Sequence, residues 1–267
     1  SIIVGGAAPG DAGVGRPPET LVAVMQRAAA AVDLESGPGS LAPGQFWYTR
    51  DRTYFDGGIQ EEYSTPPCTE DEWWWGVDGP QRTVTRECAD SGEGPIIEQQ
   101  DFSTSIPEPD PAAMQLEPDA VPPSEPDIDL RTLPTDPSAL LDRITREAEN
   151  APDEGKTLAE EQFIRAVTLL SDPDAPPTLR SAVFQVMPQI DGVRLLGPST
   201  DGLGRRGVAI AGSIGFGQRT ELIIEPDVGR VLGERTVVTD NDPARDRVSH
   251  ITSHVVAGVV TSTDQRL

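Results

Sequence analysis

The stretch that decides the fold runs from Pro67 to Cys88 and reads PCTEDEWWWGVDGPQRTVTREC. Val77-Asp78-Gly79 has the form of a three-residue hairpin loop with glycine where a left-handed residue is needed, which sets Gly76 opposite Pro80. The same register sets Cys68 opposite Cys88, Glu70 opposite Arg86 and Trp74 opposite Arg82. A disulfide, an ion pair and a cation over an aromatic face all follow from one alignment. The expectation is a disulfide-clipped hairpin in which Trp73 and Trp75 face one way, as packing residues or as ligand contacts, and Trp74 the other.

A disulfide places the chain in an oxidising compartment, because cytosolic thiols are kept reduced. The expected location is therefore extracytoplasmic, on the cell-surface side of a membrane. The formal net charge of -23 argues against nucleic acid and anionic lipid surfaces as main partners, since like charges repel. No run in the sequence approaches the ~20 apolar residues of a membrane span. Ser1-Ile2-Ile3-Val4 reads either as the tail of a span lying outside this sequence or as an ordinary loose terminus, with 1–17 as a Gly/Ala/Pro-rich tether.

From Pro18 to Leu34, Leu21, Val24, Met25, Ala28 and Val32 recur at helical spacing behind Pro17-Pro18, which predicts an amphipathic helix lying on a sheet. Phe46 to Phe55 alternates as a strand, and Gly57-Gly58 is expected to turn it into a partner strand over Ile59 to Ser64. Pro95 to Phe102 adds a further strand, completing a segment over 18–102. Residues 103–128 are rich in Pro, Ser, Asp and Glu and read as an acidic linker.

The segment 129–267 opens with three short helices. Asp136 caps the first ahead of Pro137, Thr157 and Glu160 form a capping box for the second, and Pro176-Pro177 opens a third that ends near Pro188. From Gly192 the period switches to two, and five strands follow between 193 and 262, separated by short Gly/Asp/Pro turns. The fold class predicted is α+β: an antiparallel meander curved into a half-barrel, with the helices packed on it and 18–102 in the same fold. Val208, Ile210, Leu222 and Ile224 alternate on neighbouring strands and form an aliphatic face that serves either as a binding surface or as the floor of a filled core.

Chemical motifs are sparse. Gly202-Leu-Gly-Arg-Arg-Gly207 matches a dinucleotide fingerprint, but a strand follows it where the fingerprint needs a helix, so it reads as a turn. His250 and His254 are the only histidines and sit too far apart along a strand to chelate one ion unaided. Asp240, Asn241, Asp242 and Asp246 read as an acidic hairpin tip rather than a calcium loop. No G-x-S-x-G is present, and no cofactor or metal is expected. The reading is a binding domain, not an enzyme; the alternative is an envelope-acting hydrolase with a pair of carboxylates among the 44 acidic residues.

Several phrases together resemble a known family: Gly44-Gln-Phe-Trp-Tyr48, the Trp-rich strand with Val77-Asp-Gly79, Leu133-Pro-Thr-Asp-Pro-Ser-Ala-Leu-Leu141 and Gly192-Val-Arg-Leu-Leu-Gly197. Arg205-Arg-Gly-Val-Ala209, Glu221-Leu-Ile-Ile-Glu-Pro226 and Gly229-Arg-Val-Leu-Gly233 complete the set. They are similar to an uncharacterised actinobacterial family of single-span membrane proteins encoded near extracytoplasmic-function sigma factors, over about Thr20 to Asp240. More remotely, the order of parts resembles the lipoprotein-carrier (LolA-like) fold and its periplasmic relative that regulates an anti-sigma factor. The resemblance implies a membrane-anchored sensory ectodomain with a hydrophobic envelope ligand and a regulatory membrane-protein partner. It supplies no catalytic residues.

Overall fold

The structure, a computed structural model, describes residues 19–32, 41–56, 68–76, 79–89, 93–101, 129–152, 154–172 and 175–267. The tether over 1–17, the strand expected over 59–64 and the linker over 103–128 lie outside the described residues.

Among the described residues nine strands form one open antiparallel sheet: β1 (Phe46–Phe55), β2 (Cys68–Gly76), β3 (Gly79–Glu87), β4 (Ile96–Asp101), β5 (Arg194–Thr200), β6 (Arg206–Gly215), β7 (Gln218–Glu225), β8 (Arg230–Val238) and β9 (Arg247–Val260). Their order, β4-β3-β2-β1-β9-β8-β7-β6-β5, leaves β4 and β5 as edges and makes two meanders of one sheet through the β1–β9 pairing. The strand that partners Phe46–Phe55 is Cys68–Gly76, not Ile59–Ser64, and the last strand of the chain covers its other side.

The Cys68–Cys88 bond is present, with the two Cα atoms 5.4 Å apart. Glu70 lies opposite Arg86 and Trp74 opposite Arg82, as the sequence predicts. The turn differs. The register shifts after Trp74, so Trp75 opposes Pro80 and Gly76 opposes Gly79, which leaves Gln81 as an extra residue on β3. A bulge beside Pro80 is physically natural, because proline has no N–H to give the ladder. The loop is thus a residue shorter than expected; Val77 and Asp78 lie outside the described residues.

Helices α1 (Leu21–Val32), α2 (Pro137–Glu149), α3 (Leu158–Ser171) and α4 (Pro177–Val186) pack on one face of the β6–β8 half. The Asp136 cap holds Ala139 N–H, and both halves of the Thr157–Glu160 capping box are formed. Helix α4 starts at Pro177 and gives way to a 3-10 turn that contains Pro188. Leu140, Ile144, Phe163, Leu179, Val183 and Met187 from α2, α3, α4 and the turn after it meet Ile210, Leu222, Ile224 and Val231 from the sheet in one aliphatic core. The fit is close where Phe163 crosses β6: a Cβ on Gly212 would sit 2.6 Å from the ring, so only glycine admits it. Contrary to expectation, α1 lies chiefly against α4, with Ser181 Oγ donating to Ala29 C=O at 2.9 Å, and reaches the sheet at the β7–β8 turn beside Gly229. On the opposite face, Tyr48, Trp74, Val84 and Val260 form a second, smaller cluster.

Candidate functional site

Alternation along β1 sends Trp47, Thr49 and Asp51 to the helix side of the sheet and Tyr48 and Arg52 to the other. The partner register on β9 shifts between Arg50 and Asp51: Arg50 faces Val256 and Asp51 faces His254, leaving Val255 as the extra residue of a bulge. A bulge re-aims the side chains around it. Here it brings His254 Nδ1 to 2.8 Å from Asp51 Oδ1.

Above this seam the ends of α3 and α4 stand off the sheet and leave a cavity of about 380 Å³. Its apolar lining includes Trp47, Leu170 and Val231, and its polar lining Arg180, Arg205 and Arg230 with Asp172 and the Asp51–His254 pair. Arg205 is held in place by the buried Asp201 carboxylate and by the Leu232 carbonyl, and Arg230 by Glu225 at 2.7 Å. The hydroxyl of Thr49, also in the wall, is buried without a hydrogen-bond partner among the described residues. Burial pushes His254 down, but the hydrogen bond and charge of Asp51, with Glu234 behind them, outweigh it against Arg205, and its pKa stands above the ordinary histidine value. An apolar lining beside three arginines, which outnumber the Asp51 and Asp172 carboxylates, suits a ligand with an apolar body and an anionic head.

The sequence-predicted residues fall in two places, neither in this cavity. Ile210, Leu222 and Ile224 are fully buried beneath the helices and Val208 is half-buried beside them. Trp73 and Trp75 stack on each other, centroids 5.5 Å apart, half-buried on the helix-side face where Trp75 pairs with Trp47. The fully buried tryptophan is Trp74, which packs on Tyr48 and carries Arg82 over its ring. The ion pair expected between Glu70 and Arg86 is repartnered. Glu70 binds Arg52 of β1, while Arg86 reaches Glu72 and Glu93, because Glu72 is the carboxylate buried within reach of its guanidinium.

His250 faces Thr236, burial holding its pKa below the ordinary value, so the two histidines serve separate neighbours. Among the described residues no group of His, Cys, Asp and Glu is placed to hold a metal ion. At the acidic tip, Asp240 and Asp242 accept backbone N–H groups of the turn itself and Asp246 binds Arg219. Among the described residues no helix is long and apolar enough to cross a membrane.

No protein-family model and no curated protein matches the chain. Among solved structures it is similar to the complex of Pseudomonas aeruginosa MucA and MucB, at 12% identity and a TM-score of 0.30, over 90% of this chain and 56% of that one. The chain spans little more than half of that neighbour, and a likeness of this size carries no argument about function.

Sequence reasoning passed over Trp47, Asp51, Arg180, Arg205 and Arg230 as site residues. The one signal available was the alternation that sets Trp47, Thr49 and Asp51 on a common face of a strand. What completes the site is the pairing of that strand with another about 200 residues away, and no local pattern reports it.

Proposed function

We propose that this chain is an extracytoplasmic binding domain of a membrane-anchored regulatory protein and that its ligand is an amphipathic envelope molecule with an anionic head. The observation that carries the reading is the cavity over the β1–β9 seam, with Trp47, Leu170 and Val231 beside Arg180, Arg205 and Arg230. Its volume of 380 Å³ lies at the small end of the range of about 300–1,000 Å³ typical of ligand sites. It suits one chain or one small lipid moiety. The Cys68–Cys88 bond supports an oxidising location. The anchor, the regulatory partner and the link to sigma-factor control belong to this proposal, as does a role for Trp73 and Trp75 in extending the aromatic wall from Trp47. Val208, Ile210, Leu222 and Ile224 would join the site only if the helices lifted from the sheet.

Hydrolysis by paired carboxylates has less to support it. Asp71, opposite Asp51 on β2, has a pKa raised by burial, but its carboxylate is occupied by Thr85 and Thr69 and does not line the cavity. Titration with an environment-sensitive fatty acid tests the binding reading. Saturable binding should survive Val208→Trp in the helix-covered core and be lost in Ala257→Trp, which fills the cavity mouth. Loss in Val208→Trp alone would move the site to the helix–sheet interface, and no binding to the intact chain would remove the lipid reading.

A further inference from the structure

On the face opposite the cavity, Trp74 is fully buried in a small cluster with Tyr48, Val84 and Val260, against which the partly buried Phe46 and Val256 pack. What completes its cover is the tail after β9. The Trp74 indole N–H donates to the Gln265 carbonyl at 2.9 Å, and Arg82 Nη1 donates to the Thr263 carbonyl at 3.3 Å and to the Asp264 carboxylate at 2.8 Å. Arg266 lays its guanidinium 5.4 Å from the centre of the Trp74 ring, donates to Glu72 and comes within 3.8 Å of Glu93. Leu267 follows and caps Gly258, where a Cβ would be 2.5 Å from the leucine.

Two kinds of contact are combined here. The hydrogen bonds to the carbonyls of 263 and 265 read main chain in a segment that turns over 262–265, where Gln265 N–H donates to the Ser262 carbonyl at 3.1 Å. The pocket made by Glu72, Glu93 and the Trp74 face reads one side chain, and its chemistry of carboxylates beside an indole ring suits a guanidinium. We propose that this groove is a binding site for an arginine-bearing segment of a partner protein that enters it through a turn, and that residues 263–267 occupy it in cis. The tail is seated there as the model of its occupant: an arginine followed by an aliphatic residue.

Beside the part-buried Trp74–Gln265 hydrogen bond, the charged contacts of the tail reach solvent: Asp264 is 85% exposed at the side chain and Glu93, which faces Arg266, 57%. Exposed pairs of that kind contribute about 0–1 kcal/mol each. Within the groove Glu72 also accepts from Tyr48 Oη at 2.7 Å and pairs with Arg86 at 3.3 Å, contacts that do not involve the tail. A net charge of -23 draws a basic segment toward the domain. Against this, a tethered tail acts at an effective concentration on the order of millimolar, so a partner engages only when it binds better or when the tail is loosened.

The test uses a labelled peptide of residues 261–267 and three proteins: the intact chain, Arg266→Gln, and the chain ended after Val260. Anisotropy should show saturable binding to the two altered chains and at least tenfold weaker binding to the intact one. A peptide with glutamine for its arginine should lose at least tenfold. Tryptophan emission of the shortened chain should be red-shifted and should return on adding peptide. If the shortened chain does not fold, Arg266→Gln decides alone. Equal binding by intact chain and Arg266→Gln, or none by a folded Arg266→Gln, overturns the proposal. Concentration-dependent dimerisation of the intact chain, suppressed by the same peptide, would give the groove to a second copy's tail and overturn the assignment to a partner.

Discussion

The two ends of the sheet are held together by different physics. From β5 to β8, aliphatic side chains of three strands meet four helices, and Ile210, Leu222, Ile223 and Ile224 are completely buried. From β1 to β4 no helix among the described residues packs on the Tyr48–Trp74 face, and the buried groups include Glu70, Glu72 and Arg86 with Tyr48 and Trp74. Strand β4 at that edge is exposed along its whole length. Hydrophobic burial scales with apolar area and needs no partner geometry, whereas a buried charge is tolerable only when each lone pair and proton is met. The comparison teaches that β5–β8 is a packed scaffold and β1–β4 a cross-linked one, fastened by a disulfide and by arginine–carboxylate pairs.

The sharpest way to break that contrast is to damage the packed half. Leu222→Ala removes a side chain with no exposed surface from the centre of the helix–sheet core and should cost about 2–5 kcal/mol in urea unfolding, the spread reflecting how far Phe163 and Leu179 can close the hole. A cost under about 1 kcal/mol would mean that the core is loose enough to admit a ligand, and would revive Val208, Ile210, Leu222 and Ile224 as binding residues.

Next in size is the cross-link. Cys68 and Cys88 are 20 residues apart in sequence, and replacing both with serine should cost about 3 kcal/mol on the chain-entropy account. The distribution of the loss matters more than its size. Amide exchange should quicken in β2 and β3 while β6 and β7 keep their protection. Equal loss in all four strands would show that the seam between β1 and β9 couples the halves into one cooperative unit.

These two results bear on what the sequence could disclose. The Cys68–Cys88 register was legible because both strands of the hairpin are local and each opposed pair carries a chemical mark. The helix caps at Asp136 and Thr157 were legible for the same reason. The choice of buried tryptophan was not: alternation separates Trp74 from Trp73 and Trp75, but the face that is closed depends on Gln265 and Arg266, 191 and 194 residues away from the groups they contact. Likewise Glu70 sits opposite Arg86, yet both chose other partners once β1 supplied Arg52. Local pairing specifies register; competition for charges is settled by the whole sheet.

A smaller effect tests the ionic side. Burial pushes the Glu72 carboxyl up, but the hydrogen bonds from Arg266, Tyr48 and Arg86 outweigh it, and its pKa lies below the ordinary value. A depressed carboxyl contributes stability above the unfolded value of about 4.3 that is lost as pH falls through the folded one. Asp71 on the other face, raised by burial, works in the opposite sense: its share of stability grows as pH falls through its folded value. Glu72→Gln should cost about 1–3 kcal/mol at neutral pH and flatten the acid limb of the stability curve, whereas Asp71→Asn should steepen it. If both substitutions leave the acid limb unchanged, the charges of this half are spectators.

The smallest effect lies on the seam itself, where the halves meet. His254 has Asp51 at 2.8 Å and Glu234 on the neighbouring strand favouring its protonated form, with burial and Arg205 opposing. A histidine whose folded pKa is raised contributes stability that is complete below its unfolded value of about 6.5 and disappears as pH rises through the folded one. With its side chain 25% exposed, the pair should contribute less than about 1 kcal/mol, too little for unfolding experiments to resolve cleanly. Proton NMR resolves it because there are only two histidines. His254 should titrate above His250, and Asp51→Asn should bring His254 down while leaving His250 in place. Coincident titration in the intact chain would mean that Asp51 and His254 are not paired in solution, and the polar wall of the cavity would then have lost the contact that joins β1 to β9 there. A further upward shift of His254 alone, on adding a fatty acid but not the matching alcohol, would place an anionic head beside it.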